Sequence, residues 1–268
     1  MAVARKIHDF DAAIVREPAA SVARGLRAQD RGDPGYAGVQ AEHAAYVAAL
    51  RAAGVEVTVL PALEAFPDSI FVEDPALVFG EGAVLLRPGA ASRAGEAAAL
   101  APALQNLFPR VLELPEPGFV DGGDVLTTPR AVMVGLSSRT DRAGAEGLAR
   151  CLGELGRRAE IIATPPGVLH FKSGCSLLDE ETILMTAPLA RAGVFAGFRQ
   201  VLVAEGEDAA ANALRVNDVV LVSARYERTI GMLDGLGYRV VPAATTEIEK
   251  IDAGLSCMSL RWQRHTRA

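Results

Sequence analysis

Residues 176–185 read Ser176-Leu177-Leu178-Asp179-Glu180-Glu181-Thr182-Ile183-Leu184-Met185, two short apolar runs joined by an acidic turn. Two such runs around a polar turn predict a β-hairpin. The arrangement occurs three more times, in residues 74–87, 124–136 and 213–222, and its first half occurs again in residues 257–262. In most copies, polar residues stand just before the first strand. This repeated hairpin governs the architecture that we predict.

Helix-like stretches separate the copies, and one helix between two strands precedes them. The helices are predicted at residues 39–53, 94–107, 141–155 and 226–236, and the two early strands at residues 12–16 and 55–60. A recurrence of about 40 to 50 residues is typical of a ring or array of supersecondary units. An ordinary α/β sheet with hairpins has the same pattern, so periodicity alone leaves both architectures open. No linker-like segment interrupts the series, which predicts one domain over residues 1–268.

Composition and charge restrict the class of protein. The chain has 268 residues, of which 50% are hydrophobic, and this is ample for a sizeable core. The net charge of −6 argues against nucleic acid as the main partner and suits a cationic small molecule. No apolar run reaches the roughly 18 residues of a membrane span, so no membrane partner is expected.

The cysteines indicate a compartment and limit metal binding. The chain has 3 cysteines, Cys151, Cys175 and Cys257, and they are far apart. An odd, widely spaced set predicts free thiols in a cytoplasmic protein. Without a close cysteine pair, and with only 4 histidines, no metal site is expected. Cys151 and Cys175 lie in apolar stretches and are expected in the core.

Cys257 and His170 are candidates for a nucleophile and a base. Gly254 and Ser256 are small neighbours that leave the sulfur of Cys257 approachable, although a lone cysteine is often a buried core residue. His170 follows a proline-rich turn and precedes an apolar strand. It is a candidate acid or base, with a structural histidine as the alternative.

Two acidic segments are candidates for orienting a base or binding a cation. In Asp121-Gly122-Gly123-Asp124 the glycine pair permits a tight bend that aims one carboxylate inward, with a solvated turn as the alternative. Asp68, Glu73 and Asp74 crowd one loop and would repel one another without a cation, for which a guanidinium is a natural partner. A solvated acidic loop is the alternative, and the apolar residues 70–72 argue against it.

The candidate residues stand at corresponding places in different repeats. If every repeat points the polar end of its hairpin the same way, these ends converge on one site. Such a site would collect Asp74, Asp121, His170, Asn212 and Cys257. A nucleophile, a base and an orienting carboxylate would then meet, which is the set that covalent catalysis needs.

Five segments, taken in order, resemble a known family. They resemble the dimethylarginine dimethylaminohydrolases of the guanidino-modifying (pentein) superfamily in Phe71-Val72-Glu73-Asp74, Asp121-Gly122-Gly123-Asp124-Val125-Leu126, Leu136-Ser137-Ser138-Arg139-Thr140, Leu169-His170-Phe171-Lys172-Ser173 and Asp252-Ala253-Gly254-Leu255-Ser256-Cys257. The resemblance covers nearly the whole chain. It implies an α/β propeller with five-fold pseudo-symmetry, in which ββαβ-type units close into a ring around a central channel.

The resemblance also implies an activity and its catalytic residues. Cys257 matches the nucleophile, His170 the general acid/base and Asp121 the carboxylate that orients the histidine. The implied reaction hydrolyses N-omega-methylated arginines, namely asymmetric dimethylarginine and monomethylarginine, to citrulline and dimethylamine or methylamine. It passes through a covalent S-alkylthiouronium intermediate and uses no metal or organic cofactor.

A substrate pocket follows from the same resemblance. Asp74 matches the acid that binds the guanidinium, and Asp68 and Glu73 support the same pocket. Arg93 and Arg139 match the arginines that hold the α-carboxylate of the substrate.

The remaining matched positions meet the other end of the substrate. Ile251 and Asp252 match positions at the α-amino end, and Leu26 matches a mobile lid leucine in the loop of residues 25–38. A small molecule is therefore the expected partner. The oligomeric state stays open, with a homodimer as one option.

Three other functions share this architecture. Arginine deiminases typically carry a second guanidinium-binding acid two residues after the catalytic histidine, where this chain has Lys172. Amidinotransferases have the same nucleophile but longer chains. Non-enzymatic ring proteins of similar fold lack the cysteine, histidine and aspartate set that this chain contains. The sequence therefore favours the dimethylarginine hydrolases.

Overall fold

In the described residues, 6–28 and 30–264 of a computed structural model, five three-stranded sheets form the framework. The strands are β1 (Ala12–Arg16), β2 (Glu56–Leu60), β3 (Ala76–Phe79), β4 (Gly82–Leu85), β5 (Val111–Glu113), β6 (Val125–Thr127), β7 (Val132–Leu136), β8 (Ala159–Ala163), β9 (Cys175–Leu177), β10 (Thr182–Met185), β11 (Arg199–Leu202), β12 (Leu214–Val216), β13 (Val219–Ser223), β14 (Arg239–Ala243) and β15 (Leu260–Trp262). The helices are α1 (Tyr36–Ala52), α2 (Glu96–Leu107), α3 (Arg142–Glu154), α4 (Ala187–Arg191) and α5 (Glu227–Gly235).

All of these sheets follow one pattern. From inner to outer strand they are β15-β1-β2, β3-β4-β5, β6-β7-β8, β9-β10-β11 and β12-β13-β14. The inner strand pairs antiparallel with the middle strand, and the middle strand pairs parallel with the outer one. Parallel neighbours need a crossover connection, and one helix supplies it in each sheet. The α/β class and the ββαβ units expected from the resemblance are therefore confirmed.

The first and last strands close the ring. β15 pairs antiparallel with β1, so that Trp262 lies opposite Ala12 and Leu260 opposite Ile14. The half hairpin of residues 257–262 thus finds its second strand at the other end of the chain. Without this pairing, β1 would present an unpaired strand edge on one side.

A channel runs where the inner strands meet. A cavity of about 410 Å³ is lined by residues of β3, β6, β9, β12 and β15, one strand from each sheet. The hydrophobic core forms five clusters between sheets and helices, and members of these clusters such as Leu77, Leu126 and Leu214 also line the cavity. The cavity therefore lies at the centre of a ring of five cores, as the five-fold resemblance implies.

The sequence missed the short outer elements. The outer strands β5, β8, β11 and β14 were not predicted, because most of their residues are partly or fully exposed and so lack a continuous apolar run. Helix α4 has only 5 residues, too few to show a helical period. Among the described residues, no helix combines the length and apolarity needed to cross a membrane.

Helix α1 begins earlier than expected, and the loop before it is correspondingly shorter. The helix begins at Tyr36 and includes Gly38, which the sequence had assigned to the loop. The cause is Glu247, whose carboxylate accepts a hydrogen bond from the Gly35 N–H at 2.6 Å. The Glu247 side chain also lies close to Gly38. A Cβ on residue 38 would stand 2.6 Å from the Cγ of Glu247. Gly38 is thus required by a close approach, not by a turn.

Closure of the ring can be tested at Trp262. Its indole is buried and packs on Phe108, with ring centroids 4.8 Å apart. We expect Trp262→Ala to lower the free energy of unfolding by about 3–5 kcal/mol, because a large aromatic leaves a cavity between β15 and α2. Urea denaturation measures the loss. The control is Leu202→Ala on β11, whose side chain is 46% exposed and should cost less than about 1 kcal/mol. Similar losses in the two variants would contradict a closing role for β15.

Candidate active site

The polar segments before the inner strands converge, as predicted. His170, just before β9, lies with its Nε2 at 2.9 Å from Asp121 Oδ2, which belongs to the segment before β6. Asp74, just before β3, accepts a hydrogen bond from the Gly123 N–H at 2.9 Å through Oδ1. Cys257, just before β15, accepts the Glu73 N–H through its carbonyl oxygen at 3.2 Å. Residues far apart in sequence therefore meet at one end of the channel.

Both carboxylates of the Asp121–Asp124 turn point inward. Asp121 and Asp124 are fully buried, so the solvated-turn alternative is wrong, and a second carboxylate joins the one that was expected to point inward. Asp124 accepts hydrogen bonds from the Ser137 hydroxyl at 2.6 Å and the Thr140 hydroxyl at 2.7 Å. Its other oxygen accepts the Phe171 N–H at 2.8 Å. Asp124 therefore fixes the backbone next to the predicted base.

The glycine pair in this turn is required by close packing. A Cβ at Gly122 would stand 2.0 Å from the carbonyl oxygen of Glu73. A Cβ at Gly123 would stand 2.8 Å from His170 Nδ1 and 2.9 Å from Asp74 Oδ1. Any side chain here would separate the imidazole from the acids that surround it.

The surroundings of His170 favour its protonated form. Burial lowers the pKa of the imidazole, but the hydrogen bond to Asp121 and the charges of Asp74 and Asp124 outweigh burial and raise the pKa to about 9. At neutral pH the ring therefore carries a proton. A protonated imidazole is the form that can act as a general acid.

Cys257 lies half-buried and its thiol is held neutral. Burial, followed by the negative charges of Glu73 and Asp74, raises the pKa of the thiol to about 11, while Lys172 acts in the opposite direction. The sulfur is therefore protonated at neutral pH unless a further positive charge arrives. Cys151 and Cys175 are buried in the core, as expected, and burial raises the pKa of each thiol.

A buried ion pair already occupies one face of Asp74. The Nη1 of Arg93 donates to Asp74 Oδ2, while its Nε and Nη2 donate to Glu96, the closest contact being 2.6 Å. Arg93 Nη2 also donates to the carbonyl oxygen of Phe71 at 2.9 Å. Burial raises the pKa of Asp74, but the charges of Arg93 and His170 prevail and lower it. The structure thus places Arg93 against Asp74, the acid expected to bind the guanidinium, and the expected role of Arg93 at the α-carboxylate stays a prediction.

Glu73 is the centre of a second ion-pair cluster. Its Oε1 lies 2.6 Å from Lys172 Nζ and 3.2 Å from Arg261 Nη2. Its Oε2 accepts the Ser256 hydroxyl at 3.1 Å. Lys172 stands where arginine deiminases typically carry a second guanidinium-binding acid. Here it is paired with Glu73, the residue next to Asp74, which is predicted to bind the guanidinium.

The loop before α1 contacts Asp68, which was expected in the guanidinium pocket, and Asp252, which was expected at the α-amino end of the substrate. Asp68 Oδ1 accepts the Leu26 N–H at 2.9 Å, and the Leu26 side chain is exposed. Asp252, in the left-handed conformation with a φ of 54°, accepts the Ala28 N–H. Ile251 is buried in the core, so only its backbone can reach a ligand. Arg139 is half-buried, and its Nη1 lies 4.0 Å from Asp121 Oδ2.

Two features of this site have no counterpart in the sequence predictions. Glu96, the first residue of α2, holds Arg93, which ends the 3-10 turn before that helix, and the spacing of three residues was the only available signal. Asp74, Asp121 and His170 also each offer one ligand atom within 4.8 Å of the others, a geometry that can hold a metal ion. Arg93 and the His170 proton already balance these carboxylates, so a metal ion would compete with both.

Fold and site together define an enzyme of the guanidino-modifying, or pentein, class. A family model described as "N,N dimethylarginine dimethylhydrolase, eukaryotic" matches residues 32–156. A Pseudomonas aeruginosa protein named N(G),N(G)-dimethylarginine dimethylaminohydrolase is 37% identical over 254 residues, which are 94% of this chain and 100% of the relative. The chain belongs to the dimethylarginine dimethylaminohydrolase family.

Solved structures agree with this assignment. The Pseudomonas aeruginosa enzyme, as a cysteine-to-serine mutant complexed with citrulline, superposes with a TM-score of 0.91 at 37% identity, covering 94% of this chain and 99% of the other. A histidine-to-glycine variant of a dimethylarginine dimethylaminohydrolase, present as an adduct with S-methyl-L-thiocitrulline, gives the same TM-score of 0.91, identity of 37% and coverage of 94% and 99%. The pentein fold is therefore established for this chain.

The hydrogen bond between Asp121 and His170 makes a prediction about charge. We expect Asp121→Asn to lower the pKa of His170 from about 9, because the variant removes a negative charge and the best acceptor of the ring N–H. NMR titration of the imidazole measures the shift. The control is Asp218→Asn, which changes an exposed carboxylate that pairs with Arg239.

The free energy of unfolding should depend on the same interaction between Asp121 and His170. Because the pKa of His170 is raised in the folded state, the protonated imidazole adds to the free energy of unfolding below the ordinary histidine pKa of about 6.5. This contribution is lost as the pH rises through about 9. The wild type should therefore lose stability across this range, and Asp121→Asn should lose less. An unchanged His170 pKa in Asp121→Asn would contradict the assignment of Asp121.

Proposed function

We propose that this chain hydrolyses N-omega-methylated arginines, asymmetric dimethylarginine and monomethylarginine, to citrulline and dimethylamine or methylamine. The observation that carries the proposal is the meeting of the His170–Asp121 pair with Asp74 beside the Cys257 segment. The family relatives supply the substrate class, since the enzyme complexed with citrulline and the adduct with S-methyl-L-thiocitrulline both carry ligands of this chemistry.

Substrate binding would begin at Asp74. A guanidinium makes paired hydrogen bonds to a carboxylate, and the buried position of Asp74 strengthens them. Because Arg93 Nη1 donates to Asp74 Oδ2, the incoming guanidinium would bind the same carboxylate beside Arg93 and add a positive charge to the cluster. We assign the α-carboxylate of the substrate to Arg93 and Arg139. Asp68 and Glu73 hold the surrounding segments in place through Leu26 and Ser256.

Arrival of the substrate cation would also activate the nucleophile. The charges of Glu73 and Asp74 help to keep the Cys257 thiol protonated with a pKa of about 11. A bound guanidinium adds a positive charge next to the sulfur and lowers that pKa, so the thiol releases its proton to solvent. The protein would thus hold an unreactive thiol until its substrate is present.

The first chemical step then uses the proton on His170. The Cys257 thiolate attacks the central guanidinium carbon and forms a C–S bond. The C–N bond to the methylated nitrogen breaks, and His170 gives its proton to the departing amine. Asp121 and Asp124 hold the ring and its backbone during this transfer.

The second step returns the enzyme to its starting state. Neutral His170 now takes a proton from a water molecule, and the resulting hydroxide attacks the same carbon. The C–S bond breaks, and the sulfur leaves as a thiolate. The proton that the hydroxyl loses as the citrulline carbonyl forms passes to this thiolate and restores the neutral thiol. The net reaction consumes one water and releases one amine, and none of its steps needs a redox partner.

The rest of the pocket would select an amino acid. We assign the α-amino end of the substrate to the backbone of Ile251 and to Asp252, and we assign the lid to Leu26. The support is that Asp252 and Asp68 each accept a backbone N–H from the loop before α1. Movement of that loop would therefore be coupled to both ends of the site.

We propose further that residues 1–268 act as one catalytic domain in the cytoplasm. The pairing of β15 with β1 supports the single domain, because the two ends of the chain share a sheet. The free cysteines Cys151, Cys175 and Cys257 support a reducing compartment. A homodimer stays a hypothesis.

A substrate panel tests the proposed function. We expect citrulline and the matching methylamine from asymmetric dimethylarginine and from monomethylarginine, with arginine turned over far less. The reason is that Lys172 is paired with Glu73 and leaves no second acid to bind an unsubstituted guanidinium nitrogen. Amine and citrulline release are measured for each compound separately. Citrulline and ammonia from arginine, with none from the methylated compounds, would move the assignment to a deiminase.

Two variants test the assigned chemistry. We expect Cys257→Ser to abolish amine release, since a hydroxyl is far less nucleophilic than a thiolate at this position. His170→Ala should lower kcat about 10²- to 10⁴-fold through loss of acid catalysis. Initial rates with asymmetric dimethylarginine measure both effects, and circular dichroism confirms that each variant is folded. An active Cys257→Ser enzyme would overturn the covalent mechanism.

A further inference from the structure

Asn212 stands at a place in its repeat that elsewhere carries a site residue. It follows a 3-10 turn at Asp208–Ala211 and lies just before the inner strand β12, as Asp74 lies just before β3. The residue is neutral, half-buried and has no role in the steps described above. Its side chain nevertheless faces the Cys257 segment.

Both ends of the Asn212 amide contact that segment. Oδ1 accepts the Ser256 N–H at 3.1 Å. Nδ2 points to Cys257 Sγ at 4.0 Å, the outer limit for a weak hydrogen bond to sulfur. On the opposite side, Glu73 contacts the Ser256 hydroxyl and the Cys257 carbonyl oxygen. Residues 254–257 are therefore held between a carboxylate from one repeat and an amide from another.

Gly254 fits the same interpretation. A Cβ at Gly254 would stand 2.4 Å from Cγ, 2.6 Å from Nδ2 and 2.8 Å from Oδ1 of Asn212. The backbone of Gly254 is outside the left-handed region, so the conformation alone would accept alanine. The glycine is needed because the amide packs directly on it. The Gly254 carbonyl oxygen also accepts the Cys257 N–H at 3.3 Å, which completes the turn.

The electrostatics of the site explain why the donor is an amide. Burial, Glu73 and Asp74 all disfavour a negative sulfur, and the opposing charge of Lys172 is already paired with Glu73 at 2.6 Å. Within residues 6–28 and 30–264, Asn212 is the one side-chain donor placed within hydrogen-bonding distance of the sulfur. A cation here would repel the substrate guanidinium. A neutral N–H stabilises the thiolate without adding charge.

We propose that Asn212 is a positioning residue for the nucleophile: its amide fixes the turn of residues 254–257 through the Ser256 N–H and supports negative charge on Cys257 Sγ. The inference rests on the proposed function only in treating Cys257 as the nucleophile. It predicts that the reactivity of this thiol depends on Asn212 even without substrate.

The experiment compares Asn212→Ala and Asn212→Asp with the wild type. The rate of Cys257 alkylation by iodoacetamide is followed from pH 7 to 10 by peptide mass spectrometry, which separates Cys257 from the buried Cys151 and Cys175. Below the thiol pKa of about 11, the logarithm of the rate should rise linearly with pH. We expect Asn212→Ala to shift this line down about tenfold, the size of one hydrogen bond to a charged group.

Asn212→Asp separates the two contacts. The carboxylate keeps an acceptor for the Ser256 N–H but loses the donor to sulfur and adds a negative charge. We therefore expect a larger decrease than in Asn212→Ala, about 100-fold. With asymmetric dimethylarginine, kcat should fall in both variants while KM changes little, because Asn212 acts on the nucleophile and not on binding. The matched control is Asn106→Ala, at an exposed position of α2.

Gly254→Ala provides an independent test that keeps Asn212 in place. The added methyl group should push the amide away and slow alkylation to the level of Asn212→Ala. In the double variant, Asn212→Ala with Gly254→Ala, the amide that would clash with the added methyl group is gone. Its alkylation rate should therefore equal that of Asn212→Ala, and the two effects should not add. This result would be difficult to obtain from two unrelated losses of stability.

The outcomes divide clearly. Alkylation of Asn212→Asp at the wild-type rate, or additive losses in the double variant, would overturn the inference. Failure of the wild type to hydrolyse methylated arginines would refute the proposed function and leave the alkylation result intact. Normal hydrolysis together with unchanged alkylation in both Asn212 variants would refute the inference alone.

Discussion

Pairing of β15 with β1 is the constraint on which the site depends. Cys257 lies just before β15, and it reaches the other repeats only because that strand completes a sheet begun at the N-terminus. The closed ring also gives every inner strand the same direction relative to the channel. Segments that precede these strands therefore meet at one end. The geometry of the site is a consequence of ring closure, because its residues come from segments that are far apart in the sequence.

Burial of acids in the centre of the ring sets the protonation states. Asp124 is satisfied by hydroxyl and N–H donors, Asp74 by Arg93, and Asp121 by His170. The same charges raise the pKa of the imidazole to about 9 and contribute to raising that of the Cys257 thiol to about 11. In the proposed mechanism, the acid His170 therefore already carries its proton before the nucleophile Cys257 has lost its own. This order suits a reaction in which a cationic substrate supplies the missing positive charge.

The pseudo-symmetry explains how one scaffold holds several chemical roles. Equivalent positions before the inner strands carry a carboxylate at Asp74, an amide at Asn212 and a thiol at Cys257. The sheets and their helices are held by separate apolar clusters, so these polar positions can differ without changing the core. Function is thus placed on segments that a rigid framework positions.

The sequence by itself determined the repeated hairpins, four helices to within a few residues, and the polar residues that would converge. Apolar periodicity is local, so it survives in the sequence and predicts elements such as α3 directly. Only the tertiary structure decided that β1 completes the last repeat, that Asp121 and Asp124 are both buried, and that Asp74 pairs with Arg93. The partner of a buried charge or an edge strand is set by distances across the ring, and residues separated by long stretches of chain leave no periodic signal of that contact.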